Sequence, residues 1–133
     1  MSLMKGKKGL IMGVANERSI AWGISQKLAT AGAELGFTYL GDALKKRVVP
    51  LAEKLNSKLT FSCDVEKKED VIKLFENVKS KWGEIDFVVH AVAFSDKSEL
   101  SGEYLNTSRE NFLRSMLISC FSFTEVSLSL IHI

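Results

Sequence analysis

Hydrophobic positions along the chain fall into two alternating kinds of segment. Four short runs, at 8–12, 34–40, 59–63 and 87–92, are nearly continuous in apolar or β-favouring residues. The first three stop at Gly13, Gly41 and Asp64. Runs this short, without polar alternation, predict strands covered on both faces. Between them the period changes to that of a helix. Ile20, Ile24, Leu28 and Ala31 share one face, and Gly32 ends that pattern. Leu44, Val48, Leu51 and Leu55 form a second stripe with Lys45, Lys46, Glu53 and Lys54 outside, and Pro50 is expected to kink or split this helix. Val71, Leu74, Phe75, Val78 and Trp82 form a third stripe that ends at Gly83. Thr107-Ser-Arg-Glu110 has the form of a capping box opening a fourth helix through Phe112 and Met116.

Strands alternating with helices predict a parallel sheet with right-handed crossovers and helices on both faces. The fold class is α/β, a doubly wound (Rossmann) parallel sheet of strand order 3-2-1-4. Its ligand site is expected at the carboxyl ends of the strands, where the order reverses. No repeat or Ser/Gly-rich linker interrupts the chain, so residues 4–133 read as one domain. The 133 residues include 18 basic and 16 acidic side chains, a balance that gives no sign of a nucleic-acid partner. No apolar run approaches the roughly 20 residues that cross a membrane. Cys63 and Cys120 are too few and too far apart for a disulfide scaffold or a zinc site. A reduced, cytoplasmic protein without a metal is therefore expected.

The candidate chemistry lies at the first turn, Gly13-Val-Ala-Asn-Glu-Arg-Ser19-Ile-Ala21-Trp-Gly23. Gly13 permits a sharp turn after the strand. Ser19 can cap the helix and offer a hydroxyl to a phosphate, beside the partial positive charge of the helix start. Ala21 and Gly23 are small enough to let the helix lie close to the sheet. An ordinary strand-to-helix turn with a serine cap would have the same composition. Asp64 and Val65 follow the third strand, where a carboxylate can accept from an adenine amino group and Val65 can lie against the ring. Asp64 also suits a helix N-cap. Ala91 and Ala93 would let a ribose approach the fourth strand, or simply end it. His90, in an apolar strand, reads as a core histidine, Trp22 and Trp82 as packing residues, and 45–47 as a solvated helix face.

Together these blocks closely resemble the NADH-dependent enoyl-acyl-carrier-protein reductases of the short-chain dehydrogenase/reductase superfamily. The Gly13-x5-Ser19-x-Ala21-x-Gly23 spacing carries most of the resemblance. It is joined by Gly32-Ala-Glu-Leu35, Phe37-Thr-Tyr39, Cys63-Asp-Val65, Val89-His90 with Phe94, and Gly102-x-Tyr104-x-Asn106. The resemblance implies an NAD site in which Gly13, Ser19 and Ile20 hold the pyrophosphate and neighbouring ribose. Leu40 would border the adenosine, Asp64 and Val65 would hold adenine, and Val92 would lie by the nicotinamide-side ribose. Ser95 would stand at the mouth of the acyl pocket. It further implies an enoyl group on acyl-carrier protein as substrate, and a homo-oligomer, specifically a homotetramer.

Relatives often carry Ser and Gly where this chain has Ala91 and Ala93. The resemblance places the family's tyrosine and lysine on and before a helix well past these residues; the tyrosines here are Tyr39 and Tyr104, and no lysine follows Lys97. No catalytic residue is therefore expected within these residues, which correspond to the amino-terminal half of the family. The domain is expected to stop before the catalytic segment and to be inactive alone. A non-catalytic nucleotide-binding remnant and an oligomerising remnant are the alternatives. Leu40-Gly-Asp42 offers no basic group to a 2′-phosphate, which favours NADH over NADPH, although Lys45, Lys46 and Arg47 lie near.

Overall fold

The structure is a computed structural model that describes residues 2–133. Strands β1 (Lys8–Met12), β2 (Glu34–Tyr39), β3 (Leu59–Ser62) and β4 (Phe87–His90) form one sheet in the order β3-β2-β1-β4. All three pairings are parallel, with Ile11 facing both Phe37 on β2 and Val89 on β4. The expected topology holds. Strands β2, β3 and β4 end one or two residues earlier than the apolar runs, because Leu40, Cys63 and Ala91 already belong to the turns that leave the sheet.

Alternation along β1 divides the core between two layers. Leu10 and Met12 face α3 (Lys68–Trp82) and the C-terminal helices. Ile11 faces α1 (Ile20–Thr30) and α2 (Gly41–Lys54). The α3 stripe is buried as its periodicity predicts, and Gly83 ends the helix with φ +74°. The stripe expected on α1 is not the buried one. Ile20 is 81% exposed and Ile24 is 37% exposed, while Ala21, Trp22 and Ser25 are buried. Small residues allow the helix to approach the sheet, and the buried Ser25 hydroxyl donates to the Ala21 carbonyl at 2.7 Å. Gly23 lies on the outer face, where an added Cβ meets nothing within 4 Å, so it is not the close-packing residue.

Pro50 does not split α2, whose 14 residues are one continuous helix with Pro50 on the exposed side. Val48, Leu51 and Ala52 on either side of it are buried, which holds the helix through the missing N–H bond. The last helical stretch comprises α4 (Arg109–Met116), a π turn at Leu117–Phe121, and α5 (Ser122–Leu130). Its cap is one residue later than expected. The Ser108 hydroxyl accepts from Asn111 N–H at 3.1 Å, and Glu99 accepts from both Ser108 N–H and Oγ–H. A distant carboxylate thus takes the place expected for Glu110. Phe112 and Met116 are half exposed, whereas Ile118 reaches the core. No helix among the described residues is long and apolar enough to cross a membrane.

Candidate functional site

Gly13 leaves β1 with φ +112°, and a Cβ there would stand 2.1 Å from the Ala91 carbonyl oxygen. The nearest claim on this glycine is therefore the protein's own backbone: Ala91 N–H donates to the Met12 carbonyl at 2.9 Å, which keeps the ends of β1 and β4 together. Ser19 occupies the N-cap position of α1, but its side chain does not cap the helix. Its Oγ turns back and accepts from Ala15 N–H at 2.9 Å and Asn16 N–H at 3.1 Å. Asn16 Oδ1 accepts from Arg18 N–H at 2.8 Å, closing the loop on itself. The hydroxyl proton of Ser19 is left free to donate, and the first amides of α1 have no side-chain acceptor.

After β3, Asp64 is not the cap of α3; Lys67 stands there. Asp64 N–H donates to the Asp70 carboxylate at 3.0 Å, and Asp64 Oδ1 accepts from Glu66 N–H at 3.0 Å. Its Oδ2 is 4.0 Å from Lys67 Nζ, beyond hydrogen-bond reach. Val65 is buried, and so is the preceding Cys63, whose thiol is pushed up to about 12 by burial, then by the charges of Asp70 and Asp64.

Past β4, residues 94–96 are tied to the last helices. Phe94 N–H donates to Ser119 Oγ at 2.9 Å, and Ser119 Oγ–H returns to the Phe94 carbonyl at 3.2 Å. Asn111 Oδ1 accepts from Asp96 N–H at 2.8 Å, and Asn111 Nδ2–H donates to Ser95 Oγ at 3.3 Å. His90 lies half-buried with its ring edge against Phe123 and its Nε2 2.8 Å from Ser122 Oγ. The Ser122 proton goes to the Ile118 carbonyl at 2.6 Å, so Nε2 is the donor in the histidine–serine bond. Burial holds His90 below the usual imidazole range, and the histidine reads as structural.

These turns enclose a cleft of about 330 Å³ at the carboxyl end of the sheet. Gly13, Leu40, Asp64, Val65 and Val92 all line it, joined by Tyr39, Cys63, Glu66, Phe94, Arg114 and Ile118 among others. Ser19, Ile20 and Ser95 do not: Ser19 acts through Ala15, Ile20 points outward, and Ser95 is held by Asn111. Arg114 is the side chain that sequence reasoning missed. It pairs with Glu66 from 48 residues away, and nothing local marks it. A larger groove of about 490 Å³ lies outside, between residues 16–18 and Lys46, Arg47 and Lys54 of α2. It holds none of the sequence-predicted site residues and takes residues from the turn after one strand alone, so the smaller cleft, lined from the ends of all four strands, is the better candidate. Among the described residues no group of His, Cys, Asp and Glu could hold a metal ion.

Comparison with known proteins bears on the family and the fold. The sequence profile of the enoyl-(acyl carrier protein) reductase family matches residues 13–132. Enoyl-[acyl-carrier-protein] reductase [NADH] 2 of Rhizobium meliloti is 59% identical over 125 residues, covering 94% of this chain and 47% of that protein. The crystal structure of FabI from Candidatus Liberibacter asiaticus superposes with a TM-score of 0.96 at 52% identity, over 98% of this chain and 51% of that one. The reductase of Anaplasma phagocytophilum, solved in complex with NAD, gives a TM-score of 0.92 at 55% identity, over 96% and 49%. The chain thus spans about half the length of the relatives it matches, and within that span it belongs to the enoyl-(acyl carrier protein) reductase family.

Proposed function

We propose that these residues form the adenosine and pyrophosphate half of the NADH site of an enoyl-acyl-carrier-protein reductase. The observation that carries this reading is the single cleft that gathers Gly13, Leu40, Asp64, Val65 and Val92 from the ends of all four strands. Its volume falls within the range of about 300–1,000 Å³ usual for small-molecule sites. The donors and acceptors fit the ligand. Asp64 Oδ2 has no hydrogen bond of its own and suits an adenine amino group, with buried Val65 against the ring. Ser19 Oγ–H and the first amides of α1 suit a pyrophosphate, with Ile20 bordering the same ribose-phosphate. Leu40 would border adenosine by apolar contact alone, and Val92 the second ribose.

NADH, when bound, supplies hydride to the β-carbon of a trans-2-enoyl thioester carried on acyl-carrier protein. This chain's residues bind and orient it. None of them supplies the hydroxyl that would stabilise the enolate: Tyr39 ends β2 and lines the cleft, but Lys45 and Lys46, six and seven residues on, are exposed on α2 and do not line it, and Tyr104 is 79% exposed. The 133 residues alone are therefore expected to bind NADH without reducing an enoyl thioester. Ser95 would face the acyl group, and Phe112, Leu113, Met116 and Phe121, each about half exposed or more, would be covered by a second copy in a homo-oligomer. Asp42 in the first turn of α2 and the absence of a basic side chain at 40–42 favour NADH over NADPH.

NADH titration followed by nucleotide fluorescence tests this reading. Asp64→Ala is expected to weaken binding by about 1–2 kcal/mol, the loss of one hydrogen bond involving a charge. NADPH is expected to bind more weakly than NADH. Unchanged affinity in Asp64→Ala, or tighter binding of NADPH, would count against the assignment.

A further inference from the structure

The Arg114 guanidinium joins two parts of the cleft that have no covalent reason to stay together. Its Nε–H donates to Glu66 Oε1 at 2.7 Å and its Nη2–H to Glu66 Oε2 at 3.1 Å, a two-point bond. The same guanidinium lies over the Phe94 ring, 4.4 Å from its centre. Glu66 belongs to the turn after β3, beside Asp64 and Val65. Phe94 belongs to the segment after β4, beside Val92. Both side chains and Arg114 line the cleft. In the sheet these strands stand at opposite ends of the order β3-β2-β1-β4, with two strands between them. No ladder hydrogen bond therefore sets the distance between the two turns.

We propose that Glu66, Arg114 and Phe94 form a strap across the cleft that fixes the spacing of its two walls and so sets the affinity for NADH. The proposal rests on the nucleotide reading above and adds positioning residues to it. Several observations favour a strap over a surface ion pair of no consequence. The pairing is bidentate, and the planar guanidinium bonds at its edge while stacking with its face, a combination lysine cannot provide. Phe94 is itself immobilised through both its N–H and its carbonyl by Ser119, so the pull on the ring reaches the backbone of the cleft wall. Glu66 follows Asp64 by two residues and its N–H is bonded to Asp64 Oδ1, so the strap also bears on the proposed adenine acceptor. Walls held at the bound spacing before the ligand arrives spare the cost of ordering them on binding.

The test uses the 133-residue chain with two readouts. The first is the NADH dissociation constant for Arg114→Met, Arg114→Lys, Glu66→Gln and the double variant Glu66→Gln with Arg114→Met. The strap predicts affinity about tenfold weaker in Arg114→Met and Glu66→Gln, little recovery in Arg114→Lys, and a double variant within about threefold of the single ones. Unchanged affinity in the single variants overturns it. So do losses that multiply in the double variant, which would mean that Glu66 and Arg114 act on the ligand independently. The second readout is amide hydrogen exchange without ligand. The strap predicts that Arg114→Met speeds exchange both at 64–67 and at 92–96, with the urea midpoint nearly unchanged. Faster exchange in one segment only overturns it. If the unaltered chain binds no NADH, the nucleotide reading fails, and the exchange readout still decides whether the strap exists.

Discussion

The two walls of the cleft are built at different ranges along the chain. The wall made by the turns after β1 and β3 is held by neighbours. Ser19 accepts from amides three and four residues away, and Asp64 from an amide two residues away. The wall after β4 is held from a distance. Asp96 is bonded to Asn111 15 residues on, Phe94 to Ser119 25 residues on, and the two walls are joined by a pair 48 residues apart. A turn carries its own chemistry in adjacent residues, so the first wall leaves a motif in the sequence. The second wall exists only when the last helices have docked, and its residues carry no local signature.

The sharpest way to break this contrast is Gly13→Ala, because Gly13 belongs to the local wall yet touches the distant one. The added Cβ meets the Ala91 carbonyl at 2.1 Å and the residue keeps φ +112°. A loss on the order of 3 kcal/mol in urea unfolding is expected, from combined clash and backbone strain. A change below about 0.5 kcal/mol would show that β1 and β4 part easily. Asn111→Ala is expected to cost about 2 kcal/mol, since Asn111 is buried and leaves the Asp96 amide and the Ser95 hydroxyl without partners. Amide exchange should quicken at 94–96 and stay unchanged at 13–19. Equal quickening in both segments would erase the distinction between the walls.

A smaller effect comes from His90, which ties β4 to the start of α5. Its folded-state titration lies below the ordinary 6.5 because burial disfavours the charged ring. The unfolded chain therefore takes up the proton first as pH falls, and stability is full above about pH 6.5 and declines below it. The urea midpoint should fall between pH 8 and pH 5.5 in the unaltered chain, and less in His90→Gln. An equal fall in both would assign the pH dependence elsewhere. The smallest effect is a gain. Gly23→Ala puts a methyl into open space on an exposed helix face and is expected to stabilise by about 0.5–1 kcal/mol. A loss would restore Gly23 as a packing residue.

The strand order, the α3 stripe and Gly13 were legible because each depends on period or on a single special backbone angle. The face of α1 was not, because apolarity alone points to Ile20 and Ile24, while the sheet accepts the small Ala21 and Ser25 beside Trp22. Ser19 was found for its position and misread in its action, since its oxygen serves the loop before it rather than the helix after it. The capping box slid by one residue because Glu99, nine positions earlier, bonds the Ser108 amide. Arg114 was invisible for the same reason as the whole second wall: its partner is chosen by the fold.

The central claim is that the nucleotide lies at the ends of the strands, not in the larger basic groove beside α2. Amide chemical-shift mapping with added NADH tests it directly. The account predicts shifts concentrated at 13–15, 19–20, 64–66 and 91–94, with 46–54 quiet. Shifts centred on Lys46, Arg47 and Lys54, with the strand ends and 19–20 quiet, would contradict it.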